Sequence, residues 1–196
     1  MKQGSRLLLV LVPLLASGLV TLTACVPLIA GGAATGAAVT NDRRTTGTVI
    51  EDQAIESKAH DFFKADGALA EQAHINVTSY NQIVLLTGEV PSEELRKRVL
   101  EYVSRIAKVR NVHNEITIGS PTPASNRARD TLLTTKVKAK LVSIKDISAL
   151  DVKVVTEASV VYLMGLVDNS TGDAIAQAVA TVRGIAKVVK LFEGQN

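Results

Sequence analysis

The sequence predicts an α+β protein made of two tandem units. Each runs helix–strand–strand–helix–strand, with two helices on one face of a three-stranded mixed sheet. Three observations predict this. First, "INVTSYNQIVLLTGEV" (75–90) and "VKVVTEASVVYLMGLV" (152–167) align without a gap at an offset of 77. Second, each stretch is two β-rich runs around a short polar turn, "SYNQ" in one and "TEAS" in the other, which is a hairpin pattern. Third, segments with helical apolar spacing flank both hairpins. A repeat of this period marks one supersecondary unit used twice.

The N-terminus stands apart. "MKQGSR" carries Lys2 and Arg6, and "LLLVLVPLLASGLVTL" is an apolar run of 16 residues interrupted by Pro13 and Gly18. A transmembrane helix needs about 20 apolar residues, so this shorter run reads as the core of a secretory signal over residues 1–24. "LTAC" (Leu22 to Cys25) closes it and contains the only cysteine. It resembles a bacterial lipobox, which implies cleavage before Cys25 and lipidation of its thiol and new amine. Residue 26 is Val rather than Asp, and that resemblance then implies sorting to the outer membrane, lipid-anchored and facing the periplasm. Three acyl chains exceed the two signals that stable anchoring requires. Residues 25–51 follow, rich in Gly, Ala and Thr, and read as a flexible tether. Its Arg43–Arg44 pair reads as solvated linker charge, with contact to anionic lipid as the alternative.

The first unit is expected over 52–118. "DQAIESKAHDFFK" places Ile55, Ala59, Phe62 and Phe63 on one helical face. After the hairpin, "SEELRKRVLEYVSRI" places Leu95, Val99, Val103 and Ile106 on one stripe, and "KVRNVHNEITI" reads as a strand. The glycine of each V-x-L-x-G-x-V run, Gly88 or Gly165, is expected to let a helix pack close to its strand. "GSPTPASN" (119–126), with two prolines, is the expected linker. The second unit is expected over 127–196. There "STGDAIAQAVATV" repeats the second helix with Ile175, Val179 and Val182, and "GIAKVVKLFE" repeats the last strand. The helices and final strands align at an offset of 76. The tetrapeptide "IAKV", at 106–109 and 185–188, is a decoy that would throw the helices out of phase. Residues 125–196 hold a complete set of elements and are expected to fold alone, with the marginal stability of a small core.

Composition excludes more than it assigns. The lone cysteine rules out an intramolecular disulfide. His60, His74 and His113 are scattered through the first unit, and no Cys/His spacing suggests a metal. Glu93, Glu94 and Asp168 sit at helix starts, where the helix dipole accounts for them. No nucleophile elbow, dinucleotide fingerprint or P-loop is present. No enzyme activity, catalytic residue, cofactor or metal is therefore expected. Without residues 1–24 the chain carries 20 basic and 19 acidic residues, so nucleic-acid binding is not expected either.

Charge divides unevenly between the units. Residues 54–118 hold 8 basic and 9 acidic residues, and residues 127–196 hold 10 basic and 7 acidic. The basic excess gathers around "DTLLTTKVKAKL" (130–141). Wound as a helix, this stretch puts Leu133, Val137 and Leu141 on one face. Leu132 then falls nearly opposite, near Thr135, Ala139 and Val142. Lys136 and Lys140 lie on one flank and Lys138 on the other. The matching outward positions in the first unit are about Ala54 and Asp61, which are not apolar in this way. An exposed leucine edged by lysines suits docking on an anionic bilayer, to which each lysine contributes about 1 kcal/mol and Leu132 roughly 1.5–3 kcal/mol. The plainer alternatives are a scattered surface leucine or a contact with the first unit.

The element order, the doubled V-x-L-x-G-x-V strand and the closing V-x-N-E-I strand resemble the BON domain. Two such units behind a lipobox resemble the dual BON-domain outer-membrane lipoproteins of Gram-negative bacteria (DolP type). "RRTTG", "INVTSYN" and "DTLLTTKVKAKL…VYLMGLV" carry that likeness. It implies binding of anionic phospholipid, such as phosphatidylglycerol or cardiolipin, through the first helix of the second unit. Lys136, Lys138 and Val142 match family positions, while Leu132 stands where an aromatic is common. The resemblance also implies support of envelope integrity, with a role at the division site. The competing expectation is a periplasmic protein-interaction module that engages outer-membrane assembly or peptidoglycan-remodelling proteins. Salt separates the two, because lipid docking through Lys136, Lys138 and Lys140 weakens as salt screens it.

Overall fold

Every residue of the strand Ile83–Val90 is buried, although an alternating strand on a one-sided sheet would expose half of them. The computed structural model, which describes residues 42–144 and 147–194, shows why. The first unit comprises α1 (Thr46–Ala65), a short α2 (Gly67–Gln72), β1 (His74–Tyr80), β2 (Ile83–Val90), α3 (Glu93–Ser104) and β3 (Asn111–Ile118). The second comprises α4 (Ala124–Val142), a 3-10 turn (Ala149–Asp151), β4 (Val152–Glu157), β5 (Val160–Leu166), α5 (Asn169–Ala180) and β6 (Lys187–Glu193). The expected α+β repeat is thus present, with α2 as an addition. Each sheet is three-stranded, in the order β1-β2-β3 and β4-β5-β6. The hairpin pairs are antiparallel and the outer pairs β2–β3 and β5–β6 are parallel.

Alternate residues of each central strand face different layers. Val84, Leu86 and Val90 pack with Ile55, Ala59 and Phe63 of α1 and Leu95, Val99 and Val103 of α3. Val161 and Leu163 pack with Val137 and Leu141 of α4 and Ile175 and Val179 of α5. The other faces meet each other. Tyr80, Ile83 and Leu85 of the first sheet form one core with Tyr162 and Met164 of the second. The layers therefore run helices, sheet, sheet, helices. Separation of residues 125–196 would strip the cover from Tyr162, Met164 and Leu191, so that piece alone would expose an apolar sheet face.

Both hairpins close through turns whose two central residues have positive φ: Asn81 (51°) and Gln82 (65°), then Ala158 (48°) and Ser159 (64°). That geometry matches strand twist but strains residues with a Cβ. A carboxylate from the preceding helix compensates in each unit. Asp52 accepts from the Asn81 and Gln82 amides at 2.8 and 2.7 Å. Asp130 accepts from the Ala158 and Ser159 amides at 3.0 and 2.9 Å.

Two local expectations need correction. At Gly88, a Cβ would stand 2.0 Å from the His74 carbonyl oxygen of the neighbouring strand, so that close approach requires the glycine, not a helix. The segment read as tether already contains the start of α1, at Thr46, capped by Thr45. Arg43 and Arg44 are not solvated linker charges. Arg44 bridges Asp42 and the buried Asp52, both at 2.7 Å, and lies 4.1 Å over the Tyr80 ring. Arg43 reaches the second unit, donating to Asp151 Oδ2 at 2.8 Å and the Leu166 carbonyl at 3.2 Å. The two arginines thus strap both units beside the inter-sheet core. The expected signal over 1–24, Cys25 and residues 26–41 of the tether lie outside the described residues.

Candidate functional site

Helix α4 starts directly after Pro123 and ends at Val142. Its buried positions, Asp130, Leu133, Val137 and Leu141, repeat at three- and four-residue steps and fix its rotation. Leu132 is consequently turned out and 63% exposed, whereas Leu133 is 2% exposed. Val142 is 74% exposed at the C-terminal end of the same outer face. Thr135 and Ala139 are exposed between them. The Thr135 hydroxyl is engaged by the Thr131 carbonyl at 3.1 Å, which leaves its methyl as the outward group. Leu132, Thr135, Ala139 and Val142 therefore make a shallow apolar stripe along one side of the helix.

Lysines border the stripe. Lys136 and Lys138 are exposed and Lys140 is half-buried, and none of the three forms an ion pair with a described carboxylate. The first unit differs. Arg96 pairs with Glu93, Arg98 with Asp66 and Glu94, and Lys108 with Glu51. A lysine without a carboxylate keeps its full attraction for an external phosphate, whereas a paired arginine must first give up its partner. The sequence-derived residues Leu132, Thr135, Lys136, Lys138, Ala139, Lys140 and Val142 thus occupy one continuous surface. Cys25 lies outside the described residues.

The inner side of the second unit is polar at its edges. Glu157, 7% exposed, accepts from Asn76 Nδ2 at 2.7 Å and from Thr87 Oγ1 at 3.2 Å across the unit boundary. Asn81 and Arg110 of the first unit both hold Glu193, at 2.7 and 3.0 Å. The Tyr162 hydroxyl lies 3.4 Å from Glu115. Burial, reinforced by the Glu115 charge, pushes the Tyr162 phenol up to about 12. Sequence reasoning missed these bridging residues because each looks ordinary until the second unit is set against the first.

Among the described residues, no group of three or more His, Cys, Asp or Glu side chains is placed to hold a metal. No described helix is long and apolar enough to cross a membrane.

The BON domain model matches residues 51–120 and again 129–196. The outer membrane lipoprotein DolP of Haemophilus influenzae is 34% identical over 172 residues, covering 88% of this chain and 89% of its own length. The 21 kDa hemolysin of Actinobacillus pleuropneumoniae is 33% identical over 151 residues, covering 77% of this chain and 78% of its own. The osmotically-inducible protein Y of Escherichia coli is 26% identical over 167 residues, covering 79% and 80%.

Proposed function

Because the chain belongs to the BON-domain family, as a dual BON-domain protein of the DolP type, we propose that it is an outer-membrane lipoprotein that docks α4 on anionic phospholipid and so supports envelope integrity. Its anchor is Cys25, and its folded part faces the periplasm. The observation that carries the lipid reading is Leu132, 63% exposed amid lysines that have no partner among the described carboxylates. Recruitment to the division site, and service to envelope-assembly or peptidoglycan-remodelling partners, belong to the proposal through family likeness alone.

The mechanism is a shallow, reversible contact. Burying Leu132 in the interfacial region contributes about 1.5–3 kcal/mol, and each nearby lysine about 1 kcal/mol. For a free domain that is weak. For one already tethered through acyl chains at Cys25, high local concentration makes it effective.

Vesicle co-sedimentation tests the reading, using residues 26–196, which retain every described residue. Leu132→Glu should keep the fold and lose most binding to vesicles containing phosphatidylglycerol or cardiolipin. Leu133→Glu should unfold the second unit by burying an unpaired charge, and Ala54→Glu in the first unit should bind like the parent. In cells, Cys25→Ala should abolish acyl labelling and outer-membrane fractionation. Parental vesicle binding by Leu132→Glu would refute the docking helix, and persistent acyl labelling of Cys25→Ala would refute the anchor.

A further inference from the structure

One of the two matching helix starts lacks the guanidinium that the other holds. In the first unit Thr45 caps α1 and Arg44 stands just before it. Arg44 reaches Asp52 at 2.7 Å and lies 4.1 Å over the Tyr80 ring. In the second unit Pro123 is the cap of α4, so Thr122 holds the place of Arg44. Asp130 matches Asp52. Glu157, the last residue of β4, matches Tyr80, the last residue of β1. Thr122 turns elsewhere: its hydroxyl and its amide both donate to Glu89. No described cation forms an ion pair with Asp130 or Glu157.

The place left open is a cleft of about 340 Å³ between β1 and the N-terminal half of α4. Asp130 and Glu157 line it, with His74, Asn76, Arg127 and Thr134 among the other walls. That volume is at the low end of the roughly 300–1,000 Å³ typical of ligand pockets, so it suits a small molecule.

Its acceptors are under-used. Glu157 is 7% exposed. Its Oε2 accepts from Asn76 and Thr87, and its Oε1 has no partner among the described residues. A nearly buried carboxylate oxygen calls for a donor. Asp130 accepts only the Ala158 and Ser159 amides, whereas Asp52 accepts four hydrogen bonds, one of them from Arg44. Arg127 lines the same cleft yet pairs with neither carboxylate. It gives one N–H to the Thr122 carbonyl at 2.7 Å, and a guanidinium has five. Two carboxylates and one guanidinium thus face a shared space without meeting. A ligand with a cationic fork at one end and a carboxylate at the other would satisfy both walls. Hydroxyls alone would leave those charges unmatched.

We propose that this cleft binds a free basic amino acid, its guanidinium set between Asp130 and Glu157 as Arg44 is set in the first unit, and its carboxylate on Arg127. The site does not depend on lipid docking by α4.

L-Arginine is the probe, titrated into residues 26–196 and followed by amide NMR. Saturable shifts are expected at Asn76, Ala158 and Ser159. L-Citrulline, nearly the same shape without the charge, should cause none. Glu157→Gln should weaken binding about tenfold or more, the scale of one charge-assisted hydrogen bond. Thr122→Arg should supply the missing guanidinium from within and abolish the shifts, and it serves if Glu157→Gln fails to fold. Acetyl-arginine amide keeps the guanidinium without a free carboxylate and should bind about five- to tenfold more weakly. Arg127→Gln should bring L-arginine down to that level. No saturable shift with L-arginine, or equal shifts with L-citrulline, overturns the site. Equal binding of acetyl-arginine amide overturns the free amino acid in favour of an arginine side chain of a partner protein.

Discussion

Asp52 and Asp130 occupy equivalent places in the two repeats, each reaching from the first helix of its unit to both strained residues of the following hairpin turn. Each stands about one helical turn before an equivalent buried triplet: Ile55, Ala59 and Phe63 in α1 match Leu133, Val137 and Leu141 in α4. The carboxylate is therefore part of how the helix docks on its sheet. It supplies the turn with acceptors that Asn-Gly sequences would not need.

Asp130→Ala should lower stability by about 2–4 kcal/mol, the range for losing charge-assisted bonds to backbone amides. Urea denaturation checks this. Asp130→Asn retains one acceptor and should fall between the variant and the parent.

The repeats also differ instructively after the second helix. Lys108 has φ of 77°, and its counterpart Gly184 has φ of 104°. Lys108→Gly should stabilise the first unit by up to about 1 kcal/mol, because relief of left-handed strain outweighs the added chain entropy. The lost ion pair to Glu51 is exposed and contributes little. A rise in the thermal midpoint is the expected result.

The arginine strap should matter to stability and respond to acid. Arg44→Ala removes the partner of buried Asp52 and should cost about 3 kcal/mol. The Arg44 side-chain hydrogen bond holds the Asp42 carboxyl below its usual value of 3.8. Asp42's contribution is thus complete above that value and lost as pH falls through the lowered one. Carboxyl NMR titration should show Asp42 titrating below 3.8 in the parent and returning toward it in Arg44→Ala.

Alkali should act on the inter-sheet core. The Tyr162 phenol is neutral when folded up to about 12, against an ordinary value of 10.0. The stability it contributes is complete below 10 and declines as pH rises toward about 12. Ultraviolet titration of the parent against Tyr162→Phe should show the delayed phenol disappear with the substitution.

The helices were legible because apolar periodicity reports directly which side of a helix is covered. Leu132 and Leu133 are adjacent and chemically identical, yet phase alone separated them, and the structure leaves one open and one closed. The stacking of the sheets was less legible, although "IVLL" and "VVYLM" carried a signal in their missing alternation: a strand apolar on both sides has two covers. The strap was hidden because Arg44 lies over Tyr80 and Arg43 reaches Asp151 and Leu166, all remote in sequence. The docking surface could be read from α4 alone. The polar contacts between the units could not, since Asn76 and Thr87 come from one unit and Glu157 from the other.

Face-to-face sheets leave the two helical layers on opposite outsides, and the units that bear them carry different net charge. Residues 54–118 sum to −1 and residues 127–196 to +3, so the molecule is an electric dipole directed across its layers. An anionic surface pulls the α4 side and pushes the α1 side, a torque felt over about a Debye length, roughly 8–10 Å in physiological salt. Orientation would thus precede contact: the protein would approach a negative bilayer with α4 already leading and α1 and α3 turned outward.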